Sequence, residues 1–486
     1  MAYKHGIYGS EVPTSLLPMT EVAAGLPVVF GTAPLHLATK SAGANTPKLC
    51  YSNKEAVQYF GYSKNWEDFT LCEFMNSQFA LYGMAPAVFV NVLDPNKSAH
   101  VTNVNAQETT VTDSKITLKA TEYVLLDTLK VAISEVAEPA KEGTDYTAAY
   151  NDDNELVITI LTDGALNNVA SLFLSYTKLN PAGVTASDIV GGIDPNGKLK
   201  GLELVSEVFQ RFRLVPGTII APKFSGDSTV AAVMKAKETG INGCFEAISI
   251  ADIPTDLSSA DVYSKAPEWK EQHNFVDSRM IACWPKGALS GVQYHLSTQL
   301  TGLLCKTDSE HDDVPYWSPS NHSLQIDSTV LEDGSEVFLD TATADYLNGN
   351  GIVTSINFIG GWKAWGNRIS AYPSNTDPKD AFIPIRRMFN WLNNTLITTF
   401  WSKIDNPTNK RLIRTVVDSA NIWLNGLTAK QYILGGRVEF REDENTTTDL
   451  MDGKIYFHVY FTPPSPARDI EFVQEYDPDY VSTLFD

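Results

Sequence analysis

The chain has 486 residues, of which 43% are hydrophobic and 20% charged, and its formal net charge is −21. This length allows two to four globular domains, and the composition excludes a wholly disordered chain. The negative charge excludes general binding to nucleic acid or to an anionic membrane surface, because both require a positive field.

The sequence predicts neither a membrane span nor a secretory leader. No apolar run reaches the roughly 20 residues that cross a bilayer, and the first residues lack an apolar core followed by a cleavage pattern. The five cysteines are scattered and form no Cys-x-x-Cys pair, which predicts neither a zinc ribbon nor a disulfide framework. We therefore expect a protein that is made and assembled in a cytoplasm, with buried reduced thiols and without direct membrane insertion.

Residues 1–25 predict an extended N-terminal arm. Glycines at positions 6 and 9 and prolines at 13 and 18 disfavour a helix in this stretch. The segment from Gly6 to Val12 is long enough for one short strand and contains the apolar residues Ile7 and Tyr8.

Apolar strands alternate with helices in residues 26–95 and again in residues 185–370. Leu26–Gly31 and Ala85–Leu93 are continuous apolar runs, and Asn65–Tyr82 between them carries a helical apolar stripe. This alternation is typical of a largely parallel sheet covered on both faces, so the two ranges together predict one α/β core domain. The part from about Leu303 to Asn350 predicts irregular structure, with many prolines, glycines and polar turns.

Residues 96–184 interrupt this pattern with short β-branched segments separated by Asp, Asn and Gly turns. No helical period appears before about Gly164, and residues 101–180 carry 12 acidic and 5 basic side chains. The pattern predicts an all-β insertion domain with an acidic solvated face.

Residues 371–466 predict an α+β C-terminal domain, and residues 467–486 a second extended arm. Two helices are expected near Ile385–Phe400 and Thr408–Asn425, followed by strands at Arg437–Glu442 and Lys454–Phe461. Prolines 463, 464 and 466 hold the arm away from the preceding strand. Its apolar residues are Ile470, Phe472, Val473 and Tyr476.

The two arms predict self-assembly. An apolar strand without a hairpin partner leaves its backbone groups unpaired, so it is stable mainly when it adds to an exposed sheet edge. We expect each arm to bind another copy of the chain, and the C-terminal strand pair to offer two accepting edges. The expected accepting residues are Val438, Phe440, Ile455, Phe457 and Val459.

A basic island lies within this acidic chain. Six basic residues and one acidic residue fall between Pro384 and Arg414. Lys410 and Arg411 are placed in the first turn of the second C-terminal helix, where the helix dipole disfavours a cation by about 0.3–1 kcal/mol, and Arg414 follows one turn later. This placement indicates an anionic partner outside the subunit, although a merely solvated charge run explains it about as well.

Five collinear segments resemble the contractile tail sheath proteins of myophages, phage-tail-like bacteriocins and related injection systems. They are Gly6–Glu11, Val215–Pro222 with Ala251–Pro254, Gly349–Asn357 with the Trp-Gly-x-Arg stretch Trp365–Arg368, Ile385–Arg387, and the Gly435-Gly436 turn leading to a strand, the Gly453 strand and the tail. The order is kept from end to end, except in the β insertion. Ile369 departs from the family pattern, which commonly has Thr after the Arg.

The resemblance implies a structural subunit without a cofactor. Such subunits form stacked hexameric rings around an inner tail tube and contract when a baseplate triggers them. It further implies an outward-facing insertion, a tube-facing helix that carries Lys410, Arg411 and Arg414, and partners that include tube, baseplate and tail terminator proteins. The subunit would assemble in the bacterial host cytoplasm and end in a virion tail or a released phage-tail-like particle.

Two motifs have a simpler interpretation than a ligand site. Gly192–Lys198 nearly fits a phosphate-binding loop, but Leu199 replaces the required hydroxyl and Pro195 removes an N–H, which favours a turn. The cluster Glu310–Asp313 with His322 has no zinc-site spacing, which favours a solvated loop.

Two other functions stay open from the residues alone. One is a cytoplasmic α/β enzyme with a small ligand at its strand ends, and the other a host-surface binding module that works through the β insertion. No G-x-S-x-G elbow is present, and no catalytic, cofactor-binding or metal-binding residue is assigned.

Overall fold

The structure, a computed structural model, describes residues 17–485. The chain begins with strands and helices that alternate, as the apolar runs predict. The first elements are β1 (Pro27–Gly31), β2 (Lys48–Cys50), α1 (Asn53–Phe60), α2 (Thr70–Met75) and β3 (Ala87–Asn91). A π-helical turn continues α2 to Leu81, so the predicted helix at Asn65–Tyr82 begins five residues too early.

Six strands follow without an intervening α-helix in this fully described range. They are β4 (Val101–Thr110), β5 (Lys115–Leu118), β6 (Lys130–Ala132), β7 (Tyr146–Tyr150), β8 (Leu156–Ile160) and β9 (Ser171–Leu179). They form two three-stranded antiparallel sheets in the orders β4-β9-β6 and β5-β8-β7. Alternate residues of β8 and β9 enclose an apolar cluster of their own, in which Ile158 and Leu172 are fully buried.

The next stretch returns to alternating helices and strands. Its elements are α3 (Ala186–Val190), β10 (Gly192–Ile193), β11 (Leu199–Lys200), α4 (Val205–Phe212), β12 (Thr218–Ile220), α5 (Ser228–Ala236), β13 (Ile248–Asp252), α6 (Ala266–Gln272), β14 (Met280–Cys283), β15 (Lys286–Leu289), β16 (Val292–Tyr294), α7 (Leu296–Ser309), β17 (Ser328–Val330), α8 (Thr341–Gly349), β18 (Ile352–Phe358) and β19 (Gly361–Trp365).

An eight-stranded sheet in the order β19-β18-β14-β13-β12-β1-β3-β2 forms the centre of the molecule. Its six inner strands are parallel, and the edge strands β2 and β19 are antiparallel. Val28 and Phe30 pack on the face covered by α3, α4 and α5, whereas Val29 packs on the face covered by α1, α2 and α7. Helices on both faces bury β1, β3, β12 and β14 completely, which explains why these strands are apolar on both sides.

The prediction of irregular structure between Leu303 and Asn350 was wrong, because α7, β17 and α8 occupy much of it. Helix α7 is buried on nearly all sides although many of its residues are threonine or serine. Thr301 and Thr307 donate their hydroxyls to carbonyl oxygens four residues earlier, at 2.7 and 2.9 Å. Because these polar side chains are satisfied inside the helix, they can be buried, and the helix shows no clear apolar period.

The C-terminal part packs helices on a small sheet. Its elements are α9 (Pro378–Ala381), α10 (Ile383–Phe400), α11 (Lys410–Ala429), β20 (Gly435–Glu439), α12 (Thr447–Met451) and β21 (His458–Thr462). Trp391, Leu424 and Val438 lie in the apolar cluster that joins α10, α11 and β20. Among residues 17–485, no helix is both long and apolar enough to cross a bilayer.

Candidate assembly surfaces

The C-terminal segment first passes along the surface, where Pro464–Asp469 line a cleft with Trp317 and Arg368, and is then exposed. Residues 467–481 are all exposed, and none of residues 463–477 belongs to a helix or strand. The side chains of Ile470, Phe472, Val473 and Tyr476 are between 71% and 87% exposed. Burial of one aliphatic or aromatic side chain is favourable by about 1.5–3 kcal/mol. Burial of these four side chains against a partner would therefore stabilise the contact substantially.

This segment has the alternation of a half-buried strand. Ile470, Phe472 and Tyr476 fall on one side of an extended chain together with Gln474, and Glu471 and Glu475 fall on the other together with Val473. A strand of this kind has one face for an apolar layer and one for a polar, basic surface.

The strands β20 and β21 pair antiparallel, with Arg437 opposite Tyr460 and Val438 opposite Val459. Val438, Val459 and Phe461 point toward the apolar cluster under α10 and α11. On the other face, the Arg437 guanidinium lies 3.9 Å from the centre of the Tyr460 ring, and the His458 ring stacks on the same ring at 4.1 Å. The sheet has only these two strands in the described part of the chain.

Three predicted accepting residues lie outside these strands. Phe440 follows β20, whereas Ile455 and Phe457 precede β21, so the predicted strands were too long. The cause is Asn445, whose amide donates to the Tyr456 carbonyl at 2.9 Å and accepts the Tyr456 N–H at 2.8 Å. The Asn445 side chain bonds to the N–H and C=O of Tyr456, which a partner strand would otherwise bond, so the ladder ends at His458.

The predicted N-terminal arm residues Gly6, Ile7, Tyr8 and Val12 lie outside the described residues. The chain from Leu17 onward crosses the C-terminal helices and is held by their side chains. The Leu17 N–H donates to the Ser419 hydroxyl at 2.9 Å, and the Trp391 indole N–H donates to the Val22 carbonyl at 2.8 Å. The described chain therefore starts beside α11.

The basic island divides into a buried and an exposed part. Arg387 is 3% exposed and makes two hydrogen bonds to Asp308, the bond from Nη1 being 2.9 Å long. Lys410, Arg411 and Arg414 are exposed on the first two turns of α11, and none of them forms an ion pair with a carboxylate of residues 17–485. This second group, here called the α11 basic patch, is accessible to another molecule.

The Gly192–Lys198 turn and the Glu310–Asp313 cluster with His322 both make structural contacts. Asp194 closes the turn between β10 and β11, and the backbone N–H of Lys198 on its carboxylate lowers its pKa. Asp312 accepts a hydrogen bond from the Tyr432 hydroxyl at 2.6 Å, and His322 accepts one from the Trp317 indole. Within the described residues, no group of three or more His, Cys, Asp or Glu side chains converges in a metal-like geometry.

No protein-family model matches the chain. Individual curated proteins do. The tail sheath protein of Burkholderia phage BcepMu is 25% identical over 492 residues, which covers 99% of this chain and 98% of that protein. A putative prophage major tail sheath protein of Pseudomonas aeruginosa is 25% identical over 307 residues, covering 62% of this chain and 75% of that protein.

The chain is a homologue of the contractile tail sheath proteins. Its role as a structural sheath subunit follows from these relatives. Solved sheath assemblies have the same fold. The sheath of an extracellular contractile injection system in the contracted state superimposes with a TM-score of 0.57 at 12% identity and covers 99% of both chains. A chain of the contracted anti-feeding prophage baseplate has a TM-score of 0.58 at 12% identity and covers 98% of this chain and 99% of that chain.

The Trp365–Arg368 stretch joins the central sheet to the C-terminal helices. The Arg368 guanidinium lies between two rings, 4.2 Å from the centre of Tyr372 and 3.8 Å from that of Phe382. Gly366 has a φ of +132°, and a Cβ there would meet the Asn348 side chain at 2.5 Å. Ile369 is fully buried in the core. The resemblance seen in the sequence therefore rests in part on packing residues.

Proposed function

We propose that the chain polymerises into stacked hexameric rings around an inner tail tube, and that this sheath contracts to drive the tube through a target cell envelope. The exposed C-terminal segment is the observation that carries the proposal. The alternation of Ile470, Phe472 and Tyr476 along residues 463–477, which belong to no helix or strand, fits addition to a sheet of another copy. About five main-chain hydrogen bonds at ~0.5–1.5 kcal/mol each give one arm several kcal/mol.

The chain divides, in this proposal, into an α/β core (residues 26–95 and 185–370), an outward-facing β insertion (residues 96–184), a tube-facing C-terminal domain (residues 371–466) and two arms (residues 1–25 and 467–486). In such a contact the arm of one copy binds a surface of the next copy that differs from the arm itself. Contacts of this kind do not form a closed dimer. They extend into rings or helices instead.

Buried polar contacts support contraction by movement of rigid subunits. The Arg387–Asp308 pair joins α10 to α7, and the Asn394 side chain takes both the N–H and the C=O of Glu246, at 3.0 and 2.8 Å. Breaking such contacts would leave buried polar groups unpaired, which costs several kcal/mol. Movement at the arms therefore costs less free energy than movement between the core and the C-terminal helices.

The α11 basic patch supports contact with the tube, and the baseplate context of a structural neighbour supports contact with a baseplate. A tail terminator protein completes the proposed partners. Assembly takes place in the bacterial host cytoplasm, and the mature product is a virion tail or a phage-tail-like particle.

A cleft of about 310 Å³ at the carboxyl ends of β13 and β14 is where an α/β enzyme would bind its ligand. Its Cys283 is fully buried, and burial raises the pKa of the thiol, which makes it a poor nucleophile. His295 is held by Glu73, with 2.8 Å between its Nδ1 and the carboxylate. The burial of Cys283 and the pairing of His295 are consistent with a structural role, and so are the names of the tail sheath relatives.

Removal of residues 467–486 tests the arm. We expect a folded, soluble subunit with unchanged circular dichroism and melting temperature that forms no tubes or rings in electron micrographs. A second variant keeps the length but replaces Ile470, Phe472 and Tyr476 with serine, and we expect the same loss. Phe338→Ser, at a site 80% exposed elsewhere on the surface, is the matched control and should assemble normally. Tubes of normal length from the truncated chain would refute the arm's role.

A further inference from the structure

A cleft of about 700 Å³ lies between the start of the C-terminal segment and the core, and Pro464–Asp469 form one of its walls. This cleft is here called the strap cleft. Its size is within the range of about 300–1,000 Å³ that is typical of ligand pockets. The core contributes aromatic rings to it, among them Trp317, Trp365 and Tyr372, together with amide, hydroxyl and charged side chains.

Trp317 presents a fixed aromatic surface in the strap cleft. Its indole N–H donates to His322 Nε2 at 2.9 Å, and the His311 ring stacks on it at 4.5 Å. The Trp317 side chain is nevertheless 45% exposed. Because His311 covers one face of the indole, this exposure belongs to the opposite face and the edge. The negative face of an aromatic ring attracts the weakly positive C–H groups on one side of a sugar ring.

Arg368 presents hydrogen-bond donors that have no partner. Its guanidinium is stacked between Tyr372 and Phe382, at 4.2 and 3.8 Å from the two ring centres. Stacking fixes the plane of the guanidinium but uses none of its N–H bonds, which point outward in that plane. Within residues 17–485, the Arg368 side chain forms neither a hydrogen bond nor an ion pair.

Two amides in the strap cleft are also unbonded. The side chains of Asn321 and Asn367 line the cleft and make no hydrogen bond to any other described residue. Each amide carries both donors and an acceptor. A ligand whose own groups both donate and accept would satisfy them.

The charges of the strap cleft cancel, because Arg368 and Arg468 are matched by Asp345 and Asp469. This balance favours a neutral ligand, and hydroxyl groups can accept from the arginines and donate to the carboxylates. We infer that the strap cleft binds a neutral saccharide, with Trp317 stacked on the sugar ring and Arg368 and the two amides bonded to its hydroxyls. The site goes beyond the proposed sheath role and does not depend on it, since the exposed arm residues from Ile470 onward are not part of the cleft.

Titration of the purified full-length subunit with glucose, galactose, N-acetylglucosamine and maltose tests the site. Saturation-transfer NMR detects binding, and calorimetry measures the dissociation constant. We expect saturable binding of at least one of these sugars. Trp317→Ala removes the stacking surface and should weaken that binding by about tenfold. Arg368→Lys should weaken it by a similar factor, because lysine has no planar donor fork.

Trp401→Ala is the matched control. It removes an indole that is 63% exposed in the turn between α10 and α11, and it should leave sugar binding unchanged. Circular dichroism and the melting temperature show whether each variant is folded. If Trp317→Ala does not fold, Asn321→Ala at an exposed position takes its place and should also weaken binding.

Two results would overturn the site itself: binding of none of the four sugars, or equal binding by the unmodified chain and the folded cleft variants. Acetate and glucuronate test the charge of the ligand. If either binds more tightly than every neutral sugar and loses this advantage in Arg368→Lys, the cleft is an anion site and the saccharide assignment is wrong.

Discussion

Helices α10 and α11 lie side by side, and both carry arginines near their first turns, but the two sets of arginines do different work. In α10, Arg387 is buried against Asp308 and ties the helix to the core. In α11, Arg411 and Arg414 face solvent and form no ion pair with any described residue. The comparison teaches that basic residues close together in the sequence can serve folding in one helix and a partner in the next.

Removing the buried arginine should have the largest effect. Arg387→Met leaves the Asp308 carboxylate buried without its partner, which costs about 3–5 kcal/mol of unfolding free energy. Urea denaturation followed by tryptophan fluorescence measures the loss. The double variant Arg387→Met/Asp308→Leu should recover most of it, because no charge is left unpaired. A double variant as unstable as the single one would show that the pair matters through packing.

A medium effect is expected where α10 meets the core without a charge. Asn394→Leu leaves the N–H and C=O of Glu246 unpaired, which costs about 1–3 kcal/mol. The same denaturation experiment applies. The adjacent Asn393→Leu changes the same side chain at a half-buried position, and we expect less than about 0.5 kcal/mol there. Equal losses in the two variants would contradict a specific link to Glu246.

The smallest effect on stability, and of opposite sign, is expected in α11. Arg411→Glu replaces a cation in the first helical turn with an anion and should stabilise the subunit by about 0.3–1 kcal/mol. Combined with Arg414→Glu, it should spare polymers of the sheath subunit alone but weaken co-assembly with the tube protein in a sedimentation assay. Lys115→Glu/Lys130→Glu makes the same charge change on the insertion and should not affect co-assembly. Normal co-assembly of the α11 variant would assign the patch another purpose.

The elements that could be predicted are those whose cause is local in the sequence. Continuous apolar runs located the inner strands of the parallel sheet, and alternation with flanking prolines singled out the C-terminal segment that the structure leaves exposed. Helix α7 was not predicted because it buries threonines whose hydroxyls bond within the helix, so its sequence shows no clear apolar period.

Long-range partners account for the remaining differences. Arg387 belongs to the core only because Asp308 lies 79 positions earlier in the chain, and no pattern around Arg387 shows this. The Asn421 amide on α11 donates to the Val438 carbonyl of β20, a contact that depends on the turn between the helix and the strand. Asparagine is common in helices and on surfaces, so its identity alone does not indicate this contact.

The attachment of the six-stranded insertion has a consequence for how such a subunit can diversify. The insertion leaves the core at Val101 and returns at Leu179, and these residues are paired neighbours in one antiparallel ladder. Its entry and exit are therefore only about 5 Å apart. Any compact unit whose own termini lie close together could be grafted at this neck without bending the central sheet, which makes the position a natural exchange point and a practical one for carrying a reporter on each copy.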